Sequence, residues 1–220
     1  NVHRHTLPTF WITKTPITNA QYALFVQDTG HTPPEHWKKG RIPVGKEKHP
    51  VVFVSWHDAI AFSAWVTKQI GLSVSLPSEA EWEKAARGTD KRNYPWGNEF
   101  DGDKCHVSTS LFTPLTDTAP VDAYPDGASP YGVLDMAGNV YEWTRSKWGT
   151  GWTYQFGPPY DAEDGRENYD DIPNDMRFVV RGGSWDMTKI VATVYVRDGL
   201  DLNCKDHRTG FRLVMSRNIG

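Results

Sequence analysis

Three stretches of the chain place apolar residues at helical spacing behind a small polar residue that can cap. In "ITNAQYALFVQDTG" Thr18 or Asn19 is the cap, Tyr22, Phe25 and Val26 share a face, and Gly30 closes the run. In "SWHDAIAFSAWVTKQIG" Ser55 with Asp58 can cap, Ala59, Phe62, Ser63 and Val66 recur at helical spacing, and Gly71 stops the helix. "SEAEWEKAARG" offers Ser78 with Glu81 and ends at Gly88, which predicts a third, short helix. Strands are predicted around Phe10 to Thr13, in "RFVVRGGSW" and in "TGFRLVMS". The alternation of Ala192, Val194 and Val196 with Val191, Thr193 and Tyr195 predicts a further strand with one face turned from the core. From Gly88 to about residue 178, Pro, Gly, Asp and aromatic residues dominate with little period, so ordered loops joined by short strands are expected. The charges of "DAEDGRENYDDIPNDM" mark Asp161 to Met176 as an exposed loop.

Composition changes this picture in one respect: ten Trp among 19 Gly and 15 Pro imply irregular backbone packed on large rings. At 220 residues one sizeable domain is expected. A net charge of −3 gives no pull toward nucleic acid, and no apolar run reaches the roughly 20 residues that cross a bilayer, so no membrane insertion is expected of this chain. The chain begins at Asn1 without a leader and reads as a soluble, processed protein or a piece of a longer one, at a bacterial-type cell surface or in the cytoplasm. Cys105 and Cys204 lack the spacing of a zinc site and are expected to be free thiols.

Calcium takes clusters of hard oxygen donors, and "LDMAGNVYEW" offers Asp135, Glu142 and the carbonyls of Gly138 and Val140 within eight residues. The alternative is that Asp135 and Glu142 cap the turn and pair with Arg145 or Arg181. Trp96 in "YPWGN" reads as a core plug or the wall of a cleft, Gly182 and Gly183 as a tight turn, Trp185 as a core anchor, and Arg212 as a partner for buried carboxylates.

Eight ordered stretches carry a resemblance: "TKTPITNAQYALFV", "HPVVFVSWHDAIAFSAWV", "LPSEAEWEKAARG", "YPWGN", "TAPVDAYP", "YGVLDMAGNVYEWT", "RGGSW" and "TGFRLV". They are similar to the formylglycine-generating enzyme, or sulfatase-modifying-factor, family over nearly the whole chain. The resemblance implies a single domain over residues 1–220 with an α+β fold of the C-type-lectin type, rich in irregular structure. It also implies calcium in the Asp135, Gly138, Val140 and Glu142 turn, with Asp135 in place of a family Asn. The family's other calcium site, which would fall near His106 and Thr113, is not expected.

Oxidising members carry a copper-binding cysteine pair after the "GGS" turn, because thiolates hold Cu(I). Met187 and Ala192 occupy the matching positions here, so copper is not expected and the expectation leans away from an enzyme. The iron-dependent sulfoxide synthases, a related branch, use histidines. His3, His5, His31, His36, His49 and His57 are scattered without paired helical spacing.

Members without the thiols commonly show "R-x-A-x-R" in this segment, where Thr193, Tyr195 and Arg197 stand here. An intact frame around an altered segment resembles the variable proteins of diversity-generating retroelements, whose C-terminal stretch is rewritten to make new binding surfaces. By adenine-directed codon change, Thr188, Ile190, Val191, Thr193, Tyr195, Leu202, Asn203 and Cys204 are the candidate ligand-binding positions within 186–207, while Met187 and Lys189 fit badly. The leading expectation is a non-catalytic domain that binds a protein or another macromolecule. The alternatives are an oxidoreductase with another metal set, which would need Cys204 or clustered histidines, and a fixed accessory module such as one appended to a kinase.

Overall fold

The computed structural model describes residues 5–109 and 115–216. Among these residues the three α-helices begin where a hydroxyl side chain closes a reciprocal hydrogen-bonded box: Thr18 with Gln21 before α1 (Asn19–Thr29), Ser55 with Asp58 before α2 (Trp56–Ile70), and Ser78 with Glu81 before α3 (Glu79–Arg87). Each box satisfies two N–H groups that the first turn would otherwise leave open. Gly30 and Gly71 end α1 and α2 in the left-handed conformation that favours glycine.

Two sheets complete the α+β fold. β1 (Phe10–Ile12), β7 (Val214–Ser216) and β2 (Val74–Ser75) pair antiparallel with β7 in the centre. The larger sheet runs β5 (Arg197–Asp201), β4 (Met176–Arg181), β3 (Tyr141–Thr150), β6 (Thr209–Phe211), with β6 parallel to β3 and the rest antiparallel. The main core fills the space between this sheet and α1 and α2: Trp56 stacks on Phe178 with centroids 4.0 Å apart, and Tyr22, Phe25, Phe62 and Phe211 meet edge-on or stacked. Two smaller clusters matter for the site. Trp82, Ala85, Ala86, Val133, Met136 and Val194 pack beneath α3, and Cys105, Val107, Ala137 and Ala192 pack beside it.

Two expectations are corrected. Residues 141–150 form the longest strand, not short pieces in a loop region. Its residues are buried almost without alternation, so no period-two signal marks it, and its ladder with β4 is interrupted between Trp143 and Gly149. The alternating run from Val191 to Val196 forms no strand; residues 189–195 pass through turns and bends, and β5 starts at Arg197. The reason lies in the hydrogen bonds: the Val194 amide donates to the Asn93 carbonyl at 2.9 Å, and the Val194 carbonyl accepts from Arg181 at 2.7 Å. Ala192, Thr193 and Val194 are consecutively buried, which a half-exposed strand cannot achieve. The 161–176 stretch is exposed for the most part, but Arg166 is buried against Asp164, and Met176 is a core residue that opens β4.

Candidate functional site

The segment after β4 is fixed at its backbone. Gly182 and Gly183 turn the chain at φ +95° and +75°, and a Cβ on Gly183 would lie 3.0 Å from the Val191 carbonyl, so only glycine allows this approach. The Trp185 amide donates to the Asn139 carbonyl, and its indole N–H donates to the His207 carbonyl. Arg181 is buried and joins three elements. It donates to Glu79 at 2.9 Å, to Glu83 at 2.8 Å, and to the carbonyls of Val194 and Tyr195. Arg197 places a second guanidinium on Glu79 through two 2.5 Å hydrogen bonds. Glu83 also receives Arg87 at 3.1 Å, so two carboxylates meet three guanidiniums, of which Arg181 is the buried one and is held by both carboxylates.

On this fixed backbone, side chains divide by burial. Ile190 is 72% exposed, Tyr195 is 50% exposed and Asn203 is exposed, whereas Thr188, Val191 and Cys204 are half-buried. Thr193 and Leu202, also named from the codon pattern, are buried; Leu202 belongs to the main core and its carbonyl accepts from the Trp56 amide. A codon filter reads residue type and is blind to burial, so these two side chains leave the candidate contact face. The face borders the 92–104 loop: the Tyr94 hydroxyl meets the Lys189 carbonyl at 3.4 Å, and the Lys189 ammonium lies 5.5 Å from the Phe100 ring. Trp96 is half-buried, stacks on Tyr94 and lines an open groove of about 470 Å³, so it serves as both plug and wall. The sequence reading missed Lys189 and this loop, because nothing in their spacing links residue 94 to residue 189.

The 135–142 turn is built around a buried pair. Glu142 accepts from Arg212 at 2.5 and 2.7 Å and from the Trp82 indole at 2.7 Å, with neither Glu142 nor Arg212 exposed. Its partner is therefore Arg212 rather than Arg145 or Arg181, which serve Glu81 and Glu79. Asp135 is different. It is buried at φ +56°, its carboxylate accepts from the Asn139 amide at 3.3 Å, and burial pushes its pKa up to about 7. No cationic side chain is hydrogen-bonded to this carboxylate among the described residues, and Gly138 and Val140 belong to the same turn. Glu142 is already engaged on both oxygens.

Ala192 is fully buried beside Cys105, whose thiol is pushed up to about 12 by burial and by the charges of Asp101 and Asp135; Met187 packs on the main core. The two cysteines are both free. His31 pairs with Asp58 at 2.8 Å, His49 meets the Thr118 hydroxyl, and His106 sits between the Asp117 carbonyl and the Tyr124 hydroxyl. Among the described residues no three His, Cys, Asp or Glu side chains gather as a metal site; His3 and Thr113 lie outside those residues. Among the described residues no helix is long and apolar enough to cross a membrane.

The family model of the sulfatase-modifying factor enzyme 1-like domain matches residues 1–217. The chain belongs to that family. It is 35% identical over 204 residues to the serine/threonine-protein kinase Pkn1 of Chlamydia trachomatis, covering 86% of this chain and 30% of the kinase. It is 33% identical over 237 residues to the formylglycine-generating enzyme of Streptomyces coelicolor, covering 84% of this chain and 70% of that enzyme. The fold matches PvdO from Pseudomonas aeruginosa with a TM-score of 0.72 at 24% identity, over 94% of this chain and 80% of that one. It matches Treponema denticola variable protein 1 with a TM-score of 0.69 at 22% identity, over 94% and 84%. The α+β, C-type-lectin-like expectation stands.

Proposed function

We propose that this sulfatase-modifying-factor-like domain is a non-catalytic binding module whose contact face is the segment 186–207, centred on Ile190 and Tyr195. The observation that carries this reading is the division of that segment: large apolar and aromatic side chains project from a backbone that Arg181, Asn93, Gly183 and Trp185 hold in place. A rigid backbone presenting exposed anchors loses little entropy when a partner is bound. Met187 and Ala192 standing where the oxidases have thiols agrees with it, as does the fold shared with a Treponema denticola variable protein.

The finer form of the reading is a diversified protein, with Thr188, Ile190, Val191, Tyr195, Asn203 and Cys204 free to vary. Sequencing this gene and its flanking DNA across sibling isolates tests it. Substitutions at those codons, traceable to adenines of a nearby near-copy and sparing Thr193 and Leu202, are expected; an invariant segment without a near-copy would remove diversification. The match to about a third of a Chlamydia kinase favours a second reading, a fixed accessory module with a single partner.

Calcium belongs to the same proposal. Asp135, with the Gly138 and Val140 carbonyls, would hold it as a structural ion, Glu142 sharing its carboxylate with Arg212. A rise in melting temperature with calcium, absent in Asp135→Ala, is the expected result.

A further inference from the structure

Trp152 is 88% exposed in the connection between β3 and β4, and Tyr154 and Tyr169 of the same connection are exposed at 47% and 38%. A tryptophan so open would ordinarily sample several rotamers. Here the Arg177 guanidinium lies 3.9 Å from its ring centre, and Arg177 is itself tied to the Gly199 carbonyl at 3.1 Å, so one face of the indole is held and the other is open. Tyr154 packs on Trp148 with centroids 4.7 Å apart, and its hydroxyl accepts from Arg197. Arg197 follows Tyr195 by two residues and is fastened to Glu79, which also receives Arg181. Two of the exposed tyrosines, 154 and 195, are therefore joined to one charge network, Tyr154 through its hydroxyl and Tyr195 through its carbonyl.

Charge selects the occupant. Residues 150–175 contain seven carboxylates against one arginine, while the whole chain carries only −3. Arg166 is buried on Asp164, and Glu167 pairs with Arg145. Asp161, Glu163, Asp170, Asp171 and Asp175 remain as exposed carboxylates. Asp175 lies next to the residue that precedes the tryptophan: the Gly151 amide donates to the Asp175 carbonyl at 2.9 Å.

We infer that this connection extends the Ile190–Tyr195 face and docks a cationic, Lys- and Arg-rich segment of a partner protein. The inference rests on the contact face proposed above. Tryptophan and tyrosine anchors would take the aliphatic stems and planar guanidiniums of such a segment, with the aspartates steering its charge.

The test uses the full chain and a fluorescent peptide of about 20 residues made of Lys, Arg, Leu and Ser, with a Glu/Asp counterpart, read by anisotropy. The basic peptide is expected to bind, to weaken at least about tenfold between low and moderate salt, and to lose at least tenfold in Trp152→Ala and in the Asp170→Asn/Asp171→Asn pair. Unchanged melting temperatures and an unaffected Tyr131→Ala control show that folding is not the cause. No binding of the basic peptide, equal binding of the acidic one, or binding unmoved by Trp152→Ala overturns the inference. Tyr195→Ala separates it from the reading beneath it: loss in Tyr195→Ala with none in Trp152→Ala overturns this extension and leaves the C-terminal face standing. Loss in Trp152→Ala with none in Tyr195→Ala overturns the inference as an extension of the Ile190–Tyr195 face, since the basic peptide would then be held by the acidic aromatic surface alone.

Discussion

Arg212 and Glu142 form a doubly hydrogen-bonded ion pair with no exposure on either side, and the Trp82 indole completes the carboxylate's shell. Arg212 also donates to the Thr13 and Leu134 carbonyls, so this one side chain ties the first strand's exit to the 135–142 turn. Arg212→Met leaves a buried carboxylate with the indole alone. A loss of about 3–5 kcal/mol is expected, measured by urea unfolding, and the Arg212→Met/Glu142→Met pair should lose less than the two single variants together.

Asp135 makes stability depend on pH in an unusual direction. Its folded pKa, raised to about 7 by burial, lies above the unfolded value near 3.9, so between about pH 4 and 7 the folded state binds the extra proton. Without a cation its contribution is therefore full at acid pH and is lost as pH rises through that window, by a few kcal/mol at most. The expected result is that chelator-treated Asp135→Asn, which cannot titrate there, shows a flatter stability profile from pH 4 to 7 than the parent. Identical profiles would show that Asp135 is not the titrating group.

His36, His49 and His106 act in the opposite sense. Burial lowers all three below the ordinary histidine value, so their contribution is present at neutral pH and is lost as pH falls. His106→Gln, which retains a donor and an acceptor for the Asp117 carbonyl and Tyr124, should lessen acid destabilisation; this is read as the change in melting temperature between pH 7.5 and 5.

Leu202 and Tyr195 were named by the same codon pattern yet should behave oppositely. Leu202→Ala opens a cavity in the main core and is expected to cost about 2–4 kcal/mol. Tyr195→Ala is expected to stay within about 0.5 kcal/mol of the parent. Chemical denaturation of both variants separates frame from face.

Gly183→Ala should cost about 1–3 kcal/mol and loosen the segment it supports, since it combines φ +75° with a 3.0 Å approach to the Val191 carbonyl. Faster amide exchange at Val194, whose N–H rests on Asn93, is the local signature.

Much of the frame is legible in the sequence because its signals are local. A Ser three residues before an acidic partner announces two helix starts, a capping Thr or Asn announces the first, and Gly30 and Gly71 announce two ends. β3 is not legible, since continuous burial removes its alternation, and the stretch from Val191 to Val196 misleads because its alternation is real but its hydrogen bonds go to Asn93 and Arg181. Both partners are distant in sequence. The same holds for the site: Arg212 as a carboxylate partner can be expected from its type, but Glu142 rather than another acid is a fact of packing. The exposure of Ile190 and Tyr195 beside the burial of Thr193 is likewise decided by the fold, not by residue type.

Partner capture decides the central claim most directly. The full chain, Ile190→Asp/Tyr195→Ala and Tyr131→Ala would be immobilised and exposed to the same cell extract, with recovered proteins quantified by mass spectrometry. The account predicts a partner recovered equally by the parent and Tyr131→Ala and reduced at least tenfold by the face variant, whose melting temperature is unchanged. Equal recovery by all three would contradict it.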